Sequence, residues 1–216
     1  MTLKKSIALI ILIILIDQAS KIYIKTNFII GQSEPVFSWF KIYFLENEGM
    51  AWGTKIPGEY GKLFLTVFRI FAVFGIMYWL VSSFKKNSSN FLTVAISLIF
   101  AGAVGNIIDS VLYGVIFNDS YHSVATLFSD QPYGRFFYGK VVDMFYFPII
   151  ENAQFPQCIP IIGGNYFTFF NAVFNVADFA ISVGIGILIV FNKKAFKETE
   201  NQPEKAIIEE ESTINE

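Results

Sequence analysis

A single cysteine, Cys158, and a single histidine, His122, remove several chemistries at once. One thiol cannot build a disulfide framework or a cysteine-rich metal site. One imidazole leaves no material for a His-based metal centre or a Ser–His relay. Charge is scarce as well. Only 16% of residues are charged and the net charge is −2, so the basic footprint of a nucleic-acid-binding protein is missing. The chain also lacks a Gly-x-Ser-x-Gly elbow, a phosphate-binding loop and a His-Glu-x-x-His pair. No internal repeat is visible, which weighs against the symmetric architecture of many transporters.

What the chain has in quantity is apolar mass. Hydrophobic residues make up 54%, mean hydropathy is +0.51 and Phe alone occurs 25 times. These values exceed those of an ordinary soluble domain and fit a small polytopic membrane protein. Four stretches reach or approach the ~20 apolar residues that a span needs: residues 6–23, 63–84, 91–113 and 166–191. The expected fold class is therefore all-α, with four transmembrane helices. Lys4 and Lys5 precede the first stretch, Lys85 and Lys86 sit in the short link between the second and third, and Lys193, Lys194 and Lys197 follow the fourth. The positive-inside rule puts these clusters, and both termini, on the cytoplasmic side. The long loops 25–62 and 114–165 then face outward. The apolar run 7–16 within the first stretch also has the length of a signal-peptide core. Asp17, Gln18 and Lys21 follow that run directly and no small-x-small cleavage site does, so a span is the preferred reading.

With that orientation the polar residues inside the stretches fall at one depth. Asp17, Gln18 and Lys21 lie in the outer half of the first. Asp17 and Lys21 are four apart on one helix face, acid first. Arg69 lies in the outer half of the second, Asn106 and Asp109 in that of the third. Asn171, Asn175 and Asp178 are expected as one polar stripe on the outer half of the fourth. A carboxylate inside a bilayer costs about 2.5–3.5 kcal/mol, so three of them in one layer call for a use. Gly102, Ala103, Gly105, Gly184 and Gly186 would let helices approach closely there.

Of the outer loops, residues 36–45 read as an interfacial strand, aromatic and β-branched. The expectation is a small extracytoplasmic β platform beside a long, irregular second loop. In that second loop Asp143 sits among apolar neighbours and is expected to dip toward the membrane. Residues 1–194 form the transmembrane domain on this reading. Residues 195–216 are an acidic cytoplasmic tail, expected to be disordered. Two close aspartates can share one proton and activate water against a carbonyl, as in aspartic peptidases. Membrane acids also serve ion or proton transport. The residues by themselves leave both uses open.

Five segments, read in order, resemble lipoprotein signal peptidase, also called signal peptidase II. They are Asp17-Gln18-Ala19-Ser20-Lys21; Asn47-Glu48-Gly49-Met50-Ala51-Trp52; Gly102-Ala103-Val104-Gly105-Asn106-Ile107-Ile108-Asp109; Gly139-Lys140-Val141-Val142-Asp143-Met144-Phe145; and Phe174-Asn175-Val176-Ala177-Asp178-Phe179-Ala180-Ile181. The resemblance covers residues 3–191. It implies a bacterial inner-membrane aspartic endopeptidase that cleaves diacylglyceryl-modified prolipoproteins just before the lipidated cysteine. The active site would face the outer leaflet. It implies Asp143 and Asp178 as the catalytic pair. Asn106 and Asn175 would line the site, Asn47 and Gly49 would belong to the platform over the substrate, and Asp17 and Lys21 would support the fold. Asp109 would pack helices or touch substrate. No cofactor or metal is implied. The partners are lipidated prolipoproteins and membrane lipids, not nucleic acid, and a monomer is expected. Two departures stand out. Ser110 occupies the place where the family usually carries Arg, and residues 115–138 form an insertion expected to act as a lid or to extend the platform.

Overall fold

The computed structural model of the chain describes residues 1–48, 57–58, 60–169 and 171–197. Gly49, Met50, Ala51, Trp52 and the tail from residue 198 lie outside the described residues.

The first three apolar stretches fold as helices α1 (Leu3–Lys25), α2 (Gly61–Lys85) and α3 (Asn90–Ile108). Each runs slightly past the limits read from hydropathy. The third continues through a π-helical turn (Asp109–Tyr113) into a short turn α4 (Gly114–Ile116). Three of these helical segments are long and apolar enough to cross a membrane: Leu3–Lys25, Gly61–Lys85 and Asn90–Ile116.

The fourth stretch differs from expectation. Residues 166–169 and 171–174 are not helical; they carry two strands, β5 (Tyr166–Phe169) and β6 (Val173–Phe174). Helix α5 starts only at Val176 and runs to Val190, followed by a single turn α6 (Asn192–Ala195). The cause is local. Asn175 is extended (φ −122°, ψ −178°) and caps α5, its side chain accepting from the Asp178 N–H while the Asp178 carboxylate accepts from the Asn175 N–H. This reciprocal pair fixes the helix start. Asn171 therefore lies before β6, exposed, and takes no part in a helical stripe.

Small residues set the helix packing. A Cβ on Gly102 would lie 2.2 Å from the Ala177 carbonyl oxygen, and one on Gly184 would lie 2.7 Å from that of Ala95. The backbones of α3 and α5 thus touch in two places. Gly102→Val is expected to lower stability by about 1–3 kcal/mol, the usual cost of overpacking. Gly186→Ala, with nothing within 4 Å of the added carbon, should be near neutral. Thermal unfolding of both in detergent checks the pair.

The outer loops build a four-stranded antiparallel sheet. Its order is β1 (Ser33–Phe37), β2 (Phe40–Asn47), β3 (Val141–Tyr146), β6. The single strand expected over 36–45 is a hairpin, turned at Ser38 and Trp39. The second outer loop is also more ordered than expected, since it supplies β3 and β4 (Ile150–Gln154), the latter forming a separate hairpin with β5 of the fourth stretch.

Register divides the sheet into two faces. Leu45 opposes Asp143 and Glu46 opposes Val142. Strand alternation then places Asn47 and Asp143 on one face and Phe44, Glu46, Val142 and Met144 on the other. The second face is the core: Phe44, Val142 and Met144 pack with Ile24 of α1, Tyr113, and Phe117 and Ala125 of the insertion. Ser120 of the insertion hydrogen-bonds the buried Lys25 ammonium at 2.9 Å, and Lys25 pairs with Glu46. Phe117, Ser120 and Ala125 of the 115–138 insertion therefore pack against the sheet face opposite Asp143.

Candidate active site

Asp143 and Asp178 arrive from different elements and meet through one residue. Asp143 lies mid-strand on β3, 4% exposed. Asp178 lies in the first turn of α5. Between them, Asn175 donates from its side-chain amide to Asp143 Oδ1 at 2.7 Å and from its backbone N–H to Asp178 Oδ2 at 3.4 Å. Asn47, at the end of β2, donates to the other oxygen of Asp143. Asn106 of α3 donates to Asp178 Oδ1 at 2.8 Å, and its own oxygen accepts from Asn175 at 3.2 Å. Each acid thus receives two donors, and three asparagines from α3, β2 and the α5 cap hold the pair.

Behind the asparagines lies a buried ionic cluster. Lys21 Nζ lies 2.9 Å from Asp17, 2.8 Å from Asp109 and 2.9 Å from the Asn106 oxygen, with the side chains of Lys21, Asp17 and Asp109 fully buried. Its two carboxylates each reach a backbone N–H next to a candidate acid. Asp17 Oδ1 accepts from Ala177 at 2.9 Å, and Asp109 Oδ2 accepts from Val142 at 3.3 Å. For Asp109 this is a structural post rather than an open surface. Two helpers were not singled out as site residues from the sequence. Gln18 donates to Asp109 Oδ1 at 3.0 Å, and its carbonyl oxygen accepts from the Tyr113 hydroxyl at 3.1 Å. Gln18 sits inside the first motif and could have been flagged there; Tyr113 carried no such signal.

Ser110, where an arginine is expected, is buried and returns its hydroxyl to the Asn106 carbonyl at 3.0 Å. Arg69 on α2 carries a charge that acts on both Asp178 and Asp143. Arg135 and Lys140 instead line an open cavity of about 460 Å³ beside Lys62 and Glu48.

Burial pushes the Asp143 carboxyl up to about 8, and repulsion from Asp178 adds to this; hydrogen bonds from Asn175 and Asn47 oppose the rise but do not cancel it. At neutral pH Asp143 therefore keeps its proton. Among the described residues no group of three or more His, Cys, Asp or Glu side chains is placed to hold a metal ion. Two carboxyl groups joined through one asparagine are the residue types that general acid–base chemistry uses.

Comparison with known proteins places the chain in a family. The family model of signal peptidase (SPase) II matches residues 9–193. A lipoprotein signal peptidase of Porphyromonas gingivalis is 47% identical over 185 residues, spanning 85% of this chain and 80% of that protein. One from Amoebophilus asiaticus is 36% identical over 192 residues, spanning 86% and 75%. A solved structure described as a bacterial membrane enzyme superposes with a TM-score of 0.58 at 27% identity, covering 92% of this chain and 94% of that one. A family model spanning most of the chain, together with relatives this similar, makes the chain a member of the lipoprotein signal peptidase (signal peptidase II) family.

Proposed function

We propose that the protein removes the signal peptide from diacylglyceryl-modified prolipoproteins by aspartic catalysis, cutting before the lipidated cysteine. The observation that carries this reading is Asn175, which contacts both acids and brings strand and helix to one point. Asp178 is the base that takes a proton from water. That water attacks the scissile carbonyl. Asp143, holding its proton, polarises the carbonyl and then protonates the leaving amine. Arg69 faces the pair as a fixed positive charge. Asn47 and the neighbouring Gly49 belong to the platform over the peptide.

The membrane frame follows the same reading. The protein is a bacterial inner-membrane protein with four crossings and both termini in the cytoplasm. Helix α5 has 15 residues, or about 22 Å at 1.5 Å per residue, and α6 with its lysines completes the fourth crossing. A lipidated precursor keeps its acyl chains in the bilayer, so acids at the outer interface meet its cleavage point without drawing lipid into water.

The test is cleavage of a diacylglyceryl prolipoprotein by purified protein in detergent with EDTA present. The expected product carries the lipidated cysteine at its new N-terminus. No product from folded protein and lipidated precursor would sink the proposal and make proton or ion flux in liposomes the next measurement.

The pH dependence follows from Asp143. Activity should fall as pH rises through about 8, where the pair loses its last proton. The sign for stability is the same. The folded state binds this proton more tightly than the unfolded chain, whose aspartate titrates near ~3.9, so stability declines as pH rises across that window. Asp143→Asn should flatten the decline, as read from unfolding midpoints across pH.

A further inference from the structure

Between β3 and α5 the chain makes an excursion that the proposed chemistry does not use. Strands β4 and β5 form a two-stranded hairpin outside the main sheet, capped by a turn-rich tip over residues 155–165. From residue 144 to residue 177 the only charged residue is Glu151. The tip presents Ile159, Ile161 and Ile162, all exposed, with Ile161 at 99%. Ile161 also has φ +74°. A β-branched residue at positive φ is a genuine outlier, and such strain persists where a fold holds a side chain in place for a purpose.

Six of the nine backbone N–H groups in the tip are bonded within it. Phe155, Ile159, Ile162, Gly163, Gly164 and Asn165 each donate their N–H to a carbonyl within residues 155–165. Pro156 and Pro160 have no N–H to satisfy. The Phe155 and Phe167 rings stack at 4.2 Å across the base. A loop meant for water has no need to close its own hydrogen bonds, whereas lipid penalises every open one. The hairpin also starts at interfacial depth. It leaves the sheet at Phe147, which stacks on Trp39, Phe40 and Phe174, an aromatic ridge of the kind found at membrane–water boundaries.

We propose that this tip inserts into the acyl region of the outer leaflet and serves as a lipid anchor separate from the membrane-spanning helices. Its insertion is shallow, in the manner of interfacial segments. Because the hairpin joins the strand of Asp143 to the helix of Asp178, the anchor would fix both acids relative to the bilayer surface.

Cys158 is the only cysteine and lies exposed in the tip, so the native chain carries its own probe position. The full-length protein, labelled at Cys158 with an environment-sensitive fluorophore, is placed in phosphatidylcholine–phosphatidylglycerol vesicles. Lipids brominated on their acyl chains should quench the label strongly, and aqueous iodide should quench it weakly. A label on the exposed Asp130, as Asp130→Cys in a Cys158→Ser background, should show the reverse. Ile161→Asp with Ile162→Asp should abolish bromolipid quenching at Cys158 while leaving cleavage in detergent intact. If the Cys158 label instead behaves like the Asp130 label, the tip lies in water and the proposal is overturned. Quenching by neither reagent would place the tip against protein and overturn it equally. The quenching readings do not depend on peptidase activity.

Discussion

Asp143→Asn and Asp178→Asn should each reduce prolipoprotein cleavage by roughly 10⁴-fold, the upper range for removing a general acid or base. The substitution keeps shape and deletes the ability to hold or take the proton. Its structural effect should be small and local. Asp143 accepts from Asn47 and Asn175, and Asp178 accepts from Asn106 and the Asn175 N–H. An amide accepts through one oxygen only, so one donor at each position meets an NH₂ group and must turn aside. Against that, the amide is neutral and of the same shape, and burial at Asp143 already favours a neutral group. Melting temperature in detergent should therefore stay close to wild type while product vanishes. Full activity in either variant would end the dyad assignment. Loss of activity with loss of fold would leave these residues in a structural role.

Lys21→Met should do the opposite: it should act first on stability. The ammonium is the only counter-charge within bonding distance of two fully buried carboxylates among the described residues. Removing one partner of a buried ion cluster costs about 3–5 kcal/mol, because the remaining charges stay in low dielectric uncompensated. A drop of that size should show as a clearly lowered unfolding midpoint. Adding Asp109→Asn to Lys21→Met should recover part of it, since one of the stranded charges is then gone. Activity should not recover with stability. Lys21 also positions Asn106, and Asp109 holds the Val142 N–H beside Asp143. Equal stability in wild type and Lys21→Met would show that the cluster is not what holds the two elements together.

Much of this was legible before any coordinates. The helical spacing of Asp17 with Lys21, and of Asn106 with Asp109, predicted shared faces, and hydropathy predicted three of the helices to within a few residues. The fourth stretch misled because hydropathy does not distinguish an apolar strand from an apolar helix. Residues 166–174 are aromatic and β-branched, and Asn175 followed three residues later by Asp178 is a helix-start pattern that marks the boundary. The back face of the sheet was invisible for a different reason. Lys25, Glu46 and Ser120 lie far apart in the chain, on α1, β2 and the insertion, and only tertiary packing brings them together. Gly49 and the acidic tail lie outside the described residues, so their expected roles stand as proposals.

The helix start at Asn175 has one more consequence. The asparagine that caps α5 is also the residue that bonds both acids. Unwinding a single turn there would release Asp178 and withdraw the amide from Asp143 together. On the proposed mechanism such a peptidase would have no half-assembled form that cuts. It would be harmless to the unfolded segments around it during insertion and would become armed only when its last helix closes.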